Sequence, residues 1–214
     1  MKDLEAIFSV LFTISPIIGF LPQIYTRNII FPEILSLFTI MSNMLKLFHF
    51  SNRSLFCIIP IQGVFVIFLH SYLIFFNKSS YSLFEEKLMK KFKMSSKKIY
   101  CAYIGLMFIF IHLFGKIYKS YEFCGVLSLC FEVSVNIIQL ILEKYNENLN
   151  INEQKKNTLQ KQLYLVWVIG DLCRILFMLS IITPWIYIVA SFIQLIIDVY
   201  LLFFIEKNNT ISIV

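Results

Sequence analysis

Seven apolar stretches, each about 20 residues long, alternate with polar segments, and that is the length a helix needs to cross a bilayer. They lie at about 4–26, 31–50, 55–76, 98–118, 121–144, 159–181 and 184–205 and predict seven transmembrane helices. The polar residues inside them are not scattered. Ser36, Thr39, Asn43 and Lys46 share a face of the second helix, and Gln62 and His70 share one of the third. Glu132, Asn136 and Gln139 align along the fifth helix, Asp171 and Arg174 along the sixth, and Gln194 and Asp198 along the seventh.

The pattern repeats. Asn43-Met44-Leu45-Lys46 returns as Asp171-Leu172-Cys173-Arg174, 128 residues later. The same offset of 128 carries His70–Phe76 onto Asp198–Phe204. Pro22-Gln23-Ile24 falls opposite Ile138-Gln139-Leu140 at an offset of 116, one longer loop absorbing the difference. Helices one to three match helices five to seven in order and direction, so helix four returns the chain to its starting side. The predicted fold is an all-α membrane protein of seven helices in a 3+1+3 arrangement of parallel repeats, whose site is expected at the repeat interface. Its segments are a first three-helix bundle over 1–76, a basic linker over 77–97, a linker helix over 98–118, a second bundle over 119–206 and a tail over 207–214.

Composition agrees: 58% of the 214 residues are hydrophobic and 15% charged, where a soluble domain averages about a quarter charged. The net charge of +6 is therefore a matter of topology before nucleic acid, since the aromatics lie inside the spans. Thirteen of the 19 basic residues, among them Lys87, Lys90, Lys91, Lys144, Lys155 and Lys156, fall on one side of the predicted spans. Four fall on the other, which predicts a lumenal or exterior N-terminus and a cytosolic C-terminus. The start, Met1-Lys2-Asp3-Leu4-Glu5, lacks a basic leader and cleavage site, so the first helix is expected to be retained.

Within residues 79–98, Leu83, Phe84, Leu88 and Phe92 can share one side of a helix while lysines spread over the other. This segment is either an interfacial helix held by anionic lipids of the cytosolic leaflet or an ordinary basic loop. The five cysteines lie in apolar stretches without metal-like spacing, and no metal or other cofactor is expected.

Charged groups within a span cost about 2.5–3.5 kcal/mol each, so each needs a partner, a polar cavity or a function. Two cations, Lys46 and Arg174, face three carboxylates, Glu132, Asp171 and Asp198, with His70 able to tip either way. One carboxylate is thus left to bind a proton. The whole set reads as a polar pathway; the Asp171 and Arg174 positions alone read equally as packing links between helices. Pro22 removes a backbone donor near the end of the first helix, and Gln23 can satisfy the freed carbonyls.

Gly19-Phe20-Leu21-Pro22-Gln23-Ile24-Tyr25 resembles the first motif of the PQ-loop repeat family, solute carrier family 66. The resemblance extends to Asn43–Lys46, Gln62, Glu132 seven residues before Gln139, Trp167–Arg174, and Gln194 with Asp198. It implies a SWEET-like fold of two three-helix bundles. Among its branches the chain is most similar to a eukaryotic one linked to phospholipid scrambling and flippase antagonism. That implies Golgi or endosomal membranes and phospholipid partners. Ile138 stands where the second motif has proline, so a matched pair of hinges is not expected.

Two activities follow as expectations. One is ATP-independent phospholipid scrambling, with headgroups moving along a polar furrow lined by Asn43, Lys46, Gln62, His70, Glu132, Asn136, Asp171, Arg174, Gln194 and Asp198, and Pro22, Gln23 and Gln139 at the hinges. The other is a proton-coupled carrier of a cationic amino acid or similar solute. No glycine loop, metal cluster or nucleophile–base pair suggests an enzyme.

Overall fold

The computed structural model describes residues 10–11, 13–14, 16–21, 24–25, 33–51, 58–76, 96–118, 121–148, 154–180 and 185–211, all of them helical. The first helical segment, α1, comprises the described residues between 10 and 25. It is followed by α2 (Glu33–Ser51), α3 (Ile58–Phe76), α4 (Ser96–Tyr118), α5 (Tyr121–Asn148), α6 (Gln154–Ser180) and α7 (Trp185–Ile211). Pro22, Gln23, most of the basic linker and the tail beyond Ile211 lie outside the described residues.

Among the described residues, three helices are long and apolar enough to cross a membrane: Tyr121–Leu142 of α5, Lys161–Ser180 of α6 and Trp185–Phe204 of α7. At a rise of 1.5 Å per residue, 20 residues span about 30 Å. Helices α3 and α4 carry shorter apolar segments, Ile59–Phe75 and Cys101–Leu113. The chain is thus an all-helical protein compatible with a membrane. Helices α5, α6 and α7 continue past their apolar windows, to Asn148, from Gln154 and to Ile211. Hydropathy marks where the bilayer ends, but intrahelical bonds persist beyond it because Lys, Glu and Gln are good helix formers.

Sequence repeats and contact units are different properties. By contacts, residues 28–131 form one unit, while residues 1–27 and 132–214 form another; the division falls inside α5, between Phe131 and Glu132.

In the 28–131 unit, α2 is the central strut. Its Glu33 sits in the first turn, where a carboxylate suits the helix dipole. Leu37 and Ile40 of α2 pack with Ile74 of α3 and Ile104 of α4. Against the start of α5, α2 runs antiparallel in a steady register. Phe38 meets Phe131 edge to face at 5.6 Å, Ser42 Oγ donates to the Ser128 carbonyl at 2.9 Å, and Leu45 packs on Cys124. At the far end His49 Nδ1 donates to the Tyr121 carbonyl at 2.6 Å. Pro60, in the first turn of α3, leaves the helix unbroken because an amide there has no intrahelical acceptor.

In the other unit α6 and α7 are packed along their lengths. Their core joins buried Tyr164 and Leu201 to Leu140, Trp167 and Ile197. The α1 residues pack on α6: Phe20 lies 6.1 Å from the Trp167 ring, and a methyl at Gly19 would stand 3.2 Å from Leu163 Cδ1. The absence of a side chain at Gly19 sets this close approach.

Candidate functional site

The predicted polar residues are mostly buried, and the structure distributes them between the two units. In the 28–131 unit, Asn43 turns its amide back to the Thr39 carbonyl at 2.8 Å, satisfying itself within its own helix. His70 Nδ1 lies 3.1 Å from Ser36 Oγ, joining α3 to α2. Lys46 is 4% exposed, and Gln62 is half-buried. Gly63 brings α3 close to Asn43, whose Oδ1 is 3.5 Å from the position a Cβ would take. Ser36 follows Glu33 by one turn and precedes the Asn43–Lys46 pair on α2, so its partnership with His70 belongs to the stripe read from spacing.

The denser constellation is in the other unit. Arg174 and Glu132 form a two-pronged ion pair, Nη1 to Oε1 at 2.7 Å and Nη2 to Oε2 at 3.0 Å. Nη1 also donates to Gln194 Oε1 at 2.8 Å. Planar guanidinium matches carboxylate in this geometry, which lysine does not reproduce. The Arg174 side chain is 9% exposed and that of Glu132 19%. Along the same face, Asn136 Nδ2 donates to Asp198 Oδ1 at 2.8 Å, and Asp198 lies within electrostatic reach of Asp171. Asp171 is half-buried and stands within electrostatic reach of Arg174 on α6.

Two features follow from this arrangement. One guanidinium faces two carboxyl groups, Glu132 and Asp171. The buried Nε–H of Arg174, meanwhile, has no hydrogen-bond acceptor among the described residues. A buried donor left unmet costs about 1–3 kcal/mol, so this position is receptive to an oxygen ligand.

Gln139, the third polar residue of the α5 stripe, donates from Nε2 to the Tyr164 hydroxyl at 2.6 Å. Tyr164 is fully buried and also meets Trp167 edge to face at 5.5 Å. Sequence reasoning missed Tyr164 because an apolar run hides a tyrosine whose only polar atom is at its tip. It missed His49 as well, although that residue lies three positions beyond Lys46 on the same helical stripe. Tyr187, buried near Arg174, is a third such residue, with no spacing signal to reveal it.

Among the described residues no group of three or more His, Cys, Asp or Glu side chains is placed to hold a metal ion. No protein-family model, curated protein or solved structure matches the chain.

Proposed function

We propose that the chain is a seven-span member of the PQ-loop repeat family that scrambles zwitterionic phospholipids across an endomembrane without ATP. The observation that carries this reading is the juxtaposition at Arg174. Its buried Nε–H, without an acceptor among the described residues, is a donor left for a phosphate oxygen, and the partly buried carboxyl groups of Glu132 and Asp171 are the partners for an ammonium group. A headgroup bearing both charges is the complement of such a pair. The exposed side chains of α5 to α7 in the spans, including Ile137, Leu172, Phe192 and Ile196, are apolar and suit acyl chains. The basic loops orient the N-terminus to the lumen, and the family resemblance suggests Golgi or endosomal membranes.

The reading assigns the residues more narrowly than charge alone does. Arg174 is committed through three of its five N–H donors to Glu132 and Gln194, so it does not serve as a free phosphate-attracting cation. The first group an incoming headgroup meets is a carboxylate.

The test places purified protein in liposomes carrying fluorescent phosphatidylcholine, phosphatidylethanolamine or phosphatidylglycerol, bleached by an impermeant reductant. Choline and ethanolamine lipids are expected to bleach beyond the outer leaflet faster than the glycerol lipid, which lacks an ammonium. Glu132→Gln and Asp171→Asn are expected to slow the first two by about tenfold, one lost charged contact of 1.4 kcal/mol. Equal rates for the three lipids, or unchanged rates in both variants, would refute it.

The proximity of Asp171 and Asp198 favours a second reading, a proton-coupled carrier of an amino-acid-like zwitterion. Two neighbouring carboxyl groups have room for one hydrogen between them, and taking up and releasing it is what such coupling needs. Solute-driven proton flux in the same proteoliposomes, without lipid bleaching, would select this reading.

A further inference from the structure

The apolar windows of α5 and α7 end at Leu142 and Phe204. Just past the first of these edges, the exposed Lys144 holds its Nζ 5.6 Å from the centroid of the Tyr200 ring on α7. Tyr200 is 46% exposed and stacks on Phe204 at 6.1 Å. The cation–π contact draws a side chain that would otherwise sweep freely to one place at the bilayer edge. Among the described residues Lys144 has no carboxylate partner, and the Tyr200 hydroxyl makes no hydrogen bond.

We infer that Lys144 and Tyr200 form a binding site for the phosphate of an anionic phospholipid at this edge, distinct from the Arg174 cluster and independent of what that cluster moves. An ammonium without a counter-ion beside a phenol without an acceptor is complementary to a phosphodiester: the lysine supplies charge and the hydroxyl a directed donor. The aromatic stack sits at headgroup depth, where rings with one apolar and one wet end accumulate. A zwitterionic lipid fits less well because its own ammonium offsets the attraction. The site adds a directed hydrogen bond to the general attraction of a lysine for an anionic surface.

The test measures thermal unfolding of the full chain in micelles, with added phosphatidylcholine, phosphatidylserine or the soluble headgroup glycerophosphoserine. Phosphatidylserine is expected to raise the midpoint above the phosphatidylcholine value, and 0.5 M salt to weaken the effect. Lys144→Gln and Tyr200→Leu are expected to abolish this difference. Tyr200→Phe, which keeps the ring and loses only the hydroxyl, is expected to halve it. An equal response to the two lipids, or a full phosphatidylserine response in Lys144→Gln, overturns the site. A shift of the same size with glycerophosphoserine overturns the lipid assignment. If Lys144→Gln does not purify, Tyr200→Phe decides, since loss of one exposed hydroxyl leaves folding intact; an undiminished response there overturns the proposal.

Discussion

The Arg174–Glu132 pair sets a measurable asymmetry. Arg174→Met removes two charged hydrogen bonds of 2.7 and 3.0 Å and a third to Gln194 of 2.8 Å. It also leaves Glu132 and Asp171 without the guanidinium they face. Breaking a buried ion pair from one side costs about 3–5 kcal/mol, and the crowding of carboxyls places this variant at the upper end. Glu132→Gln is milder. Its amide oxygen still accepts from Nη1, and Asp171 already stands within reach of the guanidinium, so we expect about 1–2 kcal/mol. The double variant Glu132→Gln/Arg174→Met should then lose less than the sum by about 1–3 kcal/mol, because the second change removes what the first left unpaired. Reversible unfolding in mixed micelles, followed for all four proteins, gives the coupling energy directly. Additivity within about 0.5 kcal/mol, or an equal loss in the two single variants, would show that the pair is not the anchor of this cluster.

Three further expectations rest on separate contacts. Tyr164→Phe leaves the Gln139 amide buried without its acceptor and should cost about 1–3 kcal/mol in thermal unfolding, with part regained in Tyr164→Phe/Gln139→Leu. Gly19→Ala should be tolerated, since Leu163 Cδ1 at 3.2 Å is the end of a flexible side chain, whereas Gly19→Val should destabilise by about 1–3 kcal/mol and shift the Trp167 fluorescence. Leu45→Cys should crosslink to Cys124 under oxidation, holding the two fragments together after cleavage in the linker, while Phe65→Cys, exposed on α3, should not.

Helices and their polar stripes were legible because both depend on local spacing. A run of about 20 apolar residues has few alternatives, and positions three or four apart must share a face. Partnership was not legible, because it depends on which stripe faces which. Asp171 and Arg174 stand one turn apart on α6 and invite pairing with each other. The structure sends Arg174 across to Glu132 on α5 and Asp171 across to Asp198 on α7. An intrahelical Asp–Arg pair at this spacing gains only tenths of a kcal/mol, while the interhelical fork gains two parallel charged bonds in a buried site. Geometry in the third dimension therefore decided between pairings that spacing left equal.

The repeated positions also differ in chemistry more than their alignment suggests. Asn43 and Asp171 correspond at an offset of 128, as do Lys46 and Arg174. Asn43 is neutral and closes a bond onto its own helix at Thr39, so its surroundings need no counter-charge. Asp171 is ionisable and reaches another helix, and its neighbour Arg174 is held by a carboxylate that has no counterpart in the first half's stripe. The first half thus places Glu33 and Lys46 at the two ends of a stripe of neutral polar groups, and the second gathers its charges into one network around a buried guanidinium. A headgroup or solute bearing both charges finds both complements within the second network alone. On the proposed function, that concentrates specificity in α5, α6 and α7 and makes Glu132, Asp171 and Arg174 the substitutions expected to change which molecule is moved, while Asn43 and His70 act on packing first.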